Sequence, residues 1–125
     1  DTHTFANGTF TGDTTWVLQT VFHEIGHNWD TENDNWDEFK ALSSWTQTDK
    51  SGDADYSAGG NGGWFYKTDT GFVRDYAKTN PKEDFACTFA AYFMGKMGLP
   101  YLDGGTGTAA PDKLTFIDDF VTSIT

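Results

Sequence analysis

Apolar residues recur at intervals of four along Val17, Val21, Ile25 and Trp29, with Phe22 beside them. That period belongs to a helix, and it predicts an amphipathic one whose apolar stripe packs on the rest of the domain. Asp13 or Thr14 is placed to cap its N-terminus, and neither proline nor glycine interrupts residues 13–22. Gln19, His23 and His27 form a neighbouring polar stripe, expected to point elsewhere. Partial alternation over residues 1–12, with Asn7-Gly8 inside it, suggests a short strand or hairpin ahead of this helix.

Further along, Trp36, Phe39, Lys40, Leu42 and Ser43 suit a short amphipathic helix over Trp36 to Trp45. Residues 47–63 read as loop, closing on Gly59-Gly60-Asn61-Gly62-Gly63, and Trp64-Phe65-Tyr66 as a short strand or turn. A second strong helix starts near Pro81, with Asn80 as its cap, and ends around Gly95 or Gly98. After a flexible stretch at 103–109, a terminal helix from about Pro111 is expected to bury Leu114, Ile117, Phe120, Val121 and Ile124. No internal repeat is evident. The sum is an α+β chain, and its 125 residues suit a single domain over 1–125.

Composition narrows the partners. Nineteen acidic residues against eight basic give a net charge of −11, which argues against nucleic acid or an anionic membrane surface. Where those charges line a cleft, they favour basic peptides. No apolar run approaches the roughly 20 residues of a membrane-spanning helix, so no integral membrane segment is expected. Cys87 is the sole cysteine, which rules out an internal disulfide. The abundance of Thr, Gly, Asn and Asp resembles an extracellular composition. A mature secreted product, or a domain of something longer, is the expectation; oligomeric state is not encoded in any of these patterns.

The chemistry is concentrated in His23-Glu24-Ile25-Gly26-His27. On a helix, positions i and i+4 share one face, so both imidazoles can reach one metal ion, with Glu24 beside them to hold a water. A lone histidine is usually structural, whereas two flanking a glutamate on a helix point to zinc hydrolysis. Such a site takes three protein ligands and leaves one position open. Metzincins place a Gly and then a His or Asp after the motif, but those positions here hold Asp30 and Asn33. Asp30 is near enough to orient a ligand and is not itself a good third ligand. Glu83, on the second helix, is a better one, with Asp84 as a spare carboxylate. The same Glu83 could instead close a capping box with Asn80, and spacing alone does not separate the two roles.

The run Asp75-Tyr76-Ala77-Lys78-Thr79-Asn80-Pro81-Lys82-Glu83-Asp84-Phe85-Ala86, placed downstream of HEIGH, resembles the gluzincin metallopeptidases related to the catalytic domain of anthrax lethal factor. Those proteins carry HExxH, then a Tyr with a Glu seven residues after it, the separation of Tyr76 and Glu83. The segment from Ala110-Pro111 to Asp119 also resembles their terminal helix, so the likeness touches most of the chain from Val17 to Ile124. It implies a zincin-like fold, with an HExxH helix and a glutamate-bearing helix beside a small twisted sheet. It also implies a zinc-dependent endopeptidase acting on peptide or protein substrates. One zinc ion would be held by His23, His27 and Glu83, with Glu24 as general base and Tyr76 near the scissile carbonyl. The family often has a second Glu four residues after the ligand Glu, where this chain has Cys87. That departure leaves two alternatives: a zincin-like binding or scaffold domain with impaired turnover, and a closed structural site with Cys87 as fourth ligand.

Overall fold

The computed structural model describes residues 12–105 and 107–124. Four helices dominate: α1 (Gly12–His27), α2 (Trp36–Ala41), α3 (Pro81–Lys96) and α4 (Pro111–Ile124). Between α2 and α3 lie two short strands, β1 (Tyr56–Ala58) and β2 (Phe65–Lys67), and a 3-10 turn at Asp75–Lys78. The strands are antiparallel, pairing Tyr56 with Lys67, Ser57 with Tyr66 and Ala58 with Phe65, and Thr46 adds one bridge to Phe65. The chain is therefore α+β, as its pattern predicts. The strand or hairpin expected over residues 1–12 falls outside the described residues up to position 11, and Gly12 already belongs to α1.

α3 is the centre of the molecule. Phe85, Ala86, Cys87, Thr88, Phe89, Ala90 and Met94 are buried on it, because α1, α4 and the 3-10 turn pack around it. Asn80 caps its start by accepting the Glu83 N–H at 2.9 Å, with Pro81 in the first turn, where no N–H is needed. Gly98, at φ +70°, supplies the left-handed turn that ends it. One core cluster joins Phe39, Phe85, Phe89, Ile117 and Phe120, and another joins Trp45, Phe72, Val73, Ala77, Cys87 and Ala110.

Several expectations need correction. β1 lies inside the stretch read as loop, because a three-residue strand with half-buried sides leaves little hydrophobic period. α2 stops at Ala41: Ser44 turns left-handed at φ 53°, and the Trp45 N–H reaches back to the Lys40 carbonyl at 2.9 Å. On α4, Ile117 and Phe120 are buried as expected, but Ile124 is 50% exposed and Lys113 is fully buried. The largest correction concerns α1. Val17, Val21, Ile25 and Trp29 are all exposed, whereas Gln19 of the polar stripe is buried. The buried face of α1 combines polar partners with apolar contacts to α3. The Gln19 amide donates to the Leu102 carbonyl at 2.8 Å and accepts the Leu102 N–H at 2.7 Å. On the same helix Phe22 stacks on Phe93 with centroids 5.5 Å apart. A Cβ on Gly26 would come within 3.0 Å of Ala86 Cα and Phe89 Cβ, so glycine there lets α1 and α3 approach closely.

Candidate metal centre

That close approach carries His23 and His27, one turn apart on α1, to the first turn of α3. Both rings meet one atom: Glu83 Oε1 lies 2.9 Å from His23 Nε2 and 3.0 Å from His27 Nε2. The two rings stand edge-on, with centroids 4.8 Å apart. One ligand atom from each of His23, His27 and Glu83 lies within 4.8 Å of the other two. Glu83 thus uses its backbone N–H for the cap and its carboxylate for the histidines. The alternative of a closed capping box does not occur. Asp84, the spare carboxylate, is fully buried and turned to Lys113 and Trp45 instead.

Each ring is backed differently on its other nitrogen. His27 Nδ1 lies 3.1 Å from Asp30 Oδ2, and Asp30 is itself held by the Thr31 N–H. His23 Nδ1 lies 3.6 Å from Cys87 Sγ. Burial lowers the His23 pKa, and this outweighs the opposing bond and charge of Glu83. Burial acts the same way on His27, but the hydrogen bonds and charges of Asp30 and Glu83 together raise its pKa above the usual 6.5. Burial also pushes the Cys87 thiol up to about 12, so it is a neutral neighbour.

These contacts test whether the triad suits a cation. Asp30 fixes a proton on His27 Nδ1, which leaves the lone pair of a neutral ring on Nε2, aimed at Glu83 Oε1. Two electron-rich atoms 3.0 Å apart require a proton or a metal ion beside them. Two imidazole nitrogens and a carboxylate oxygen, one of them oriented by a carboxylate behind the ring, form a fitting donor set for a divalent ion. Cys87 stands on the Nδ1 side of His23, whereas the triad uses Nε2, so Cys87 is not brought to the triad as a fourth ligand.

A cleft of about 240 Å³ opens beside His23, lined by Gln19, Thr20, His23, Glu24, Arg74 and Tyr76. Glu24 is exposed there. Tyr76 comes from the 3-10 turn, 49% exposed, with its ring 6.0 Å from that of His23. The Glu83 charge, with some burial, raises the Tyr76 pKa, so the phenol keeps its proton at neutral pH. All five predicted site residues therefore gather at one place: His23, His27 and Glu83 as the triad, Glu24 and Tyr76 at the cleft beside it. Sequence reasoning left out Arg74 as a member of this cleft. Its signal was available, since it is the sole arginine and stands two positions before Tyr76. Comparison of the chain with protein-family models, curated proteins and solved structures gives no match. Among the described residues, no helix is long and apolar enough to cross a membrane.

Proposed function

We propose that this chain is a zinc-dependent endopeptidase domain of the gluzincin kind. The observation that carries the reading is the convergence of both Nε2 atoms on Glu83 Oε1 at the edge of a cleft that also holds Glu24 and Tyr76. The packing of the HExxH helix on the glutamate-bearing helix supports it.

His23, His27 and Glu83 would hold one zinc ion. Zinc bound by such a set acts as a Lewis acid toward water and toward the peptide carbonyl. Glu24, on the exposed side of α1, takes the proton of the attacking water and passes it to the leaving amine. The Tyr76 hydroxyl, kept protonated beside Glu83, donates a hydrogen bond to the oxyanion that develops on the substrate. Asp30 keeps His27 in the tautomer whose Nε2 faces the triad.

The test is metal content and peptide-library cleavage, measured on the same preparation. Cleavage should require the metal and stop on chelation. Glu24→Gln should retain the metal and lose about 10²–10⁴-fold in rate; undiminished hydrolysis removes Glu24 from the base role. Tyr76→Phe should lower turnover by about 10²-fold while leaving metal affinity alone. The second reading, a scaffold domain with impaired turnover, rests on Cys87 standing behind His23. A stoichiometric metal with no cleavage of any library peptide selects it.

A further inference from the structure

We infer that the cleft beside the triad binds a substrate carboxylate through Arg74, an inference that rests on the peptidase reading and gives it a substrate class. Arg74 sits on extended backbone, at φ −159° and ψ 164°, immediately before the 3-10 turn. Its guanidinium lies 5.3 Å from the Trp16 ring of α1 and 5.6 Å from the Tyr76 ring. Contact with two aromatic rings removes most of the freedom of a long side chain; the guanidinium also reaches the Tyr101 hydroxyl, which uses only part of its five N–H donors.

Among the described residues, those donors meet no carboxylate. The chain carries nineteen acidic residues, yet none among the described ones pairs with its only arginine. Even Asp75, next in sequence, has its carboxylate 3.7 Å from Lys78. A half-buried guanidinium held in place, with no carboxylate of the described residues paired to it, is a site for a planar, bidentate anion. It lines the same cleft as His23, Glu24 and Tyr76. Overall acidity would favour basic peptides, but this subsite carries the opposite charge. Trp16 precedes His23 by two helical turns, about 10 Å. An extended peptide rises about 3.3 Å per residue, which puts the recognised carboxylate within about three residues of the bond cleaved. That carboxylate comes either from an Asp or Glu side chain or from the C-terminus of a peptide.

The experiment uses zinc-loaded protein and short peptides of one backbone sequence carrying Asp, Glu, Asn or Gln at successive positions. Each peptide is made as the free acid and as the C-terminal amide. The wild type should prefer one acid over its amide counterpart by about tenfold or more in kcat/KM. The side-chain pairs and the terminal pairs identify which source is read. Arg74→Gln should bring that ratio to about one, whatever the absolute rate, and Arg74→Lys should retain part of it. A ratio of one in the wild type, or one that persists in Arg74→Gln, overturns the inference and leaves the peptidase reading intact. If the wild type cleaves none of the peptides, the peptidase reading fails separately. Calorimetric binding of the same acid and amide pairs to wild type and Arg74→Gln then decides: an Arg74-dependent preference supports carboxylate recognition, and equal affinities overturn it.

Discussion

Glu83 and Asp84 are neighbours in sequence, belong to the same helix turn, and serve opposite purposes. Successive helical residues point about 100° apart, so one carboxylate leaves α3 toward α1 and the other toward α4. Glu83 stays partly exposed, its side chain at 18%, with one oxygen shared between two imidazoles. Asp84 is fully buried; its Oδ2 accepts from Lys113 Nζ at 2.9 Å and from Trp45 Nε1 at 2.9 Å. Lys113 in turn donates to the Gly71 carbonyl and lies 3.6 Å from the centre of the Phe72 ring. Burial raises the Asp84 pKa and lowers that of Lys113, and each opposes the other's shift. The comparison teaches that a donor atom stays available only when something else fixes its helix. Asp84 ties α3 to Lys113 and Trp45, and the neighbouring position presents Glu83 to α1.

The strongest way to break this contrast is to remove the cation behind Asp84. Lys113→Met strands a buried carboxylate and should cost about 3–5 kcal/mol in denaturant unfolding. Replacing both partners, as Asp84→Leu with Lys113→Met, should cost less than the single change, because no charge is left uncompensated. A loss below about 1 kcal/mol for Lys113→Met would mean that Asp84 does not hold α3. Glu83→Gln should show the reverse pattern. Metal affinity should fall by more than the roughly 10–100-fold typical of groups that merely orient a ligand. The unfolding free energy of the metal-free protein should change far less than in Lys113→Met. Equal damage to folding from both would erase the distinction.

How much of this was legible beforehand follows the same division. The triad could be read because HEIGH fixes two donors on one helix face and the resemblance to gluzincins, through Tyr76 and Glu83, implied a third. The choice between ligand and cap for Glu83 could not, since both uses fit its position and only the closeness of α1 decides. The inward face of α1 was misread for a related reason. Periodicity detects burial of apolar side chains, but α1 faces α3 with Gln19, two histidines and Gly26, whose partners lie elsewhere in the chain. Lys113 was likewise invisible, because a buried lysine is defined by a carboxylate on another helix. α3 needed no such information, its cap, first-turn proline and terminal glycine all being local.

The two imidazoles sharpen the comparison within the site. Asp30 puts a full carboxylate behind His27, so Asp30→Asn should reduce metal affinity by about 10–100-fold. Its pH signature has a definite sign. Protons compete with the metal for His27, whose metal-free pKa lies above the usual 6.5. Affinity should therefore decline as pH falls through a point above 6.5, and His23, shifted downward, should join only in more acid solution. Asp30→Asn should move the first decline to lower pH. Metal titrations at several pH values measure both effects, and an unmoved profile would detach Asp30 from His27.

Cys87 should matter least. Its sulfur lies 3.6 Å from His23 Nδ1, a distance suited only to a weak bond, and its thiol stays neutral because burial pushes its pKa up to about 12. A neutral thiol neither fixes the tautomer of the ring as a carboxylate does nor adds negative charge to the ligand. Cys87→Ala should then lower metal affinity by less than about tenfold, below the range for an orienting carboxylate. Its main cost should be a small cavity, about 1 kcal/mol of stability, because the residue is fully buried. Iodoacetamide should react with the folded protein far more slowly than with the unfolded chain, as expected for a buried, protonated thiol. A larger metal-affinity loss in Cys87→Ala than in Asp30→Asn would reverse the ranking of the two rings. His23 would then depend on sulfur for its orientation, rather than on the close packing of α1 against α3 that Gly26 permits.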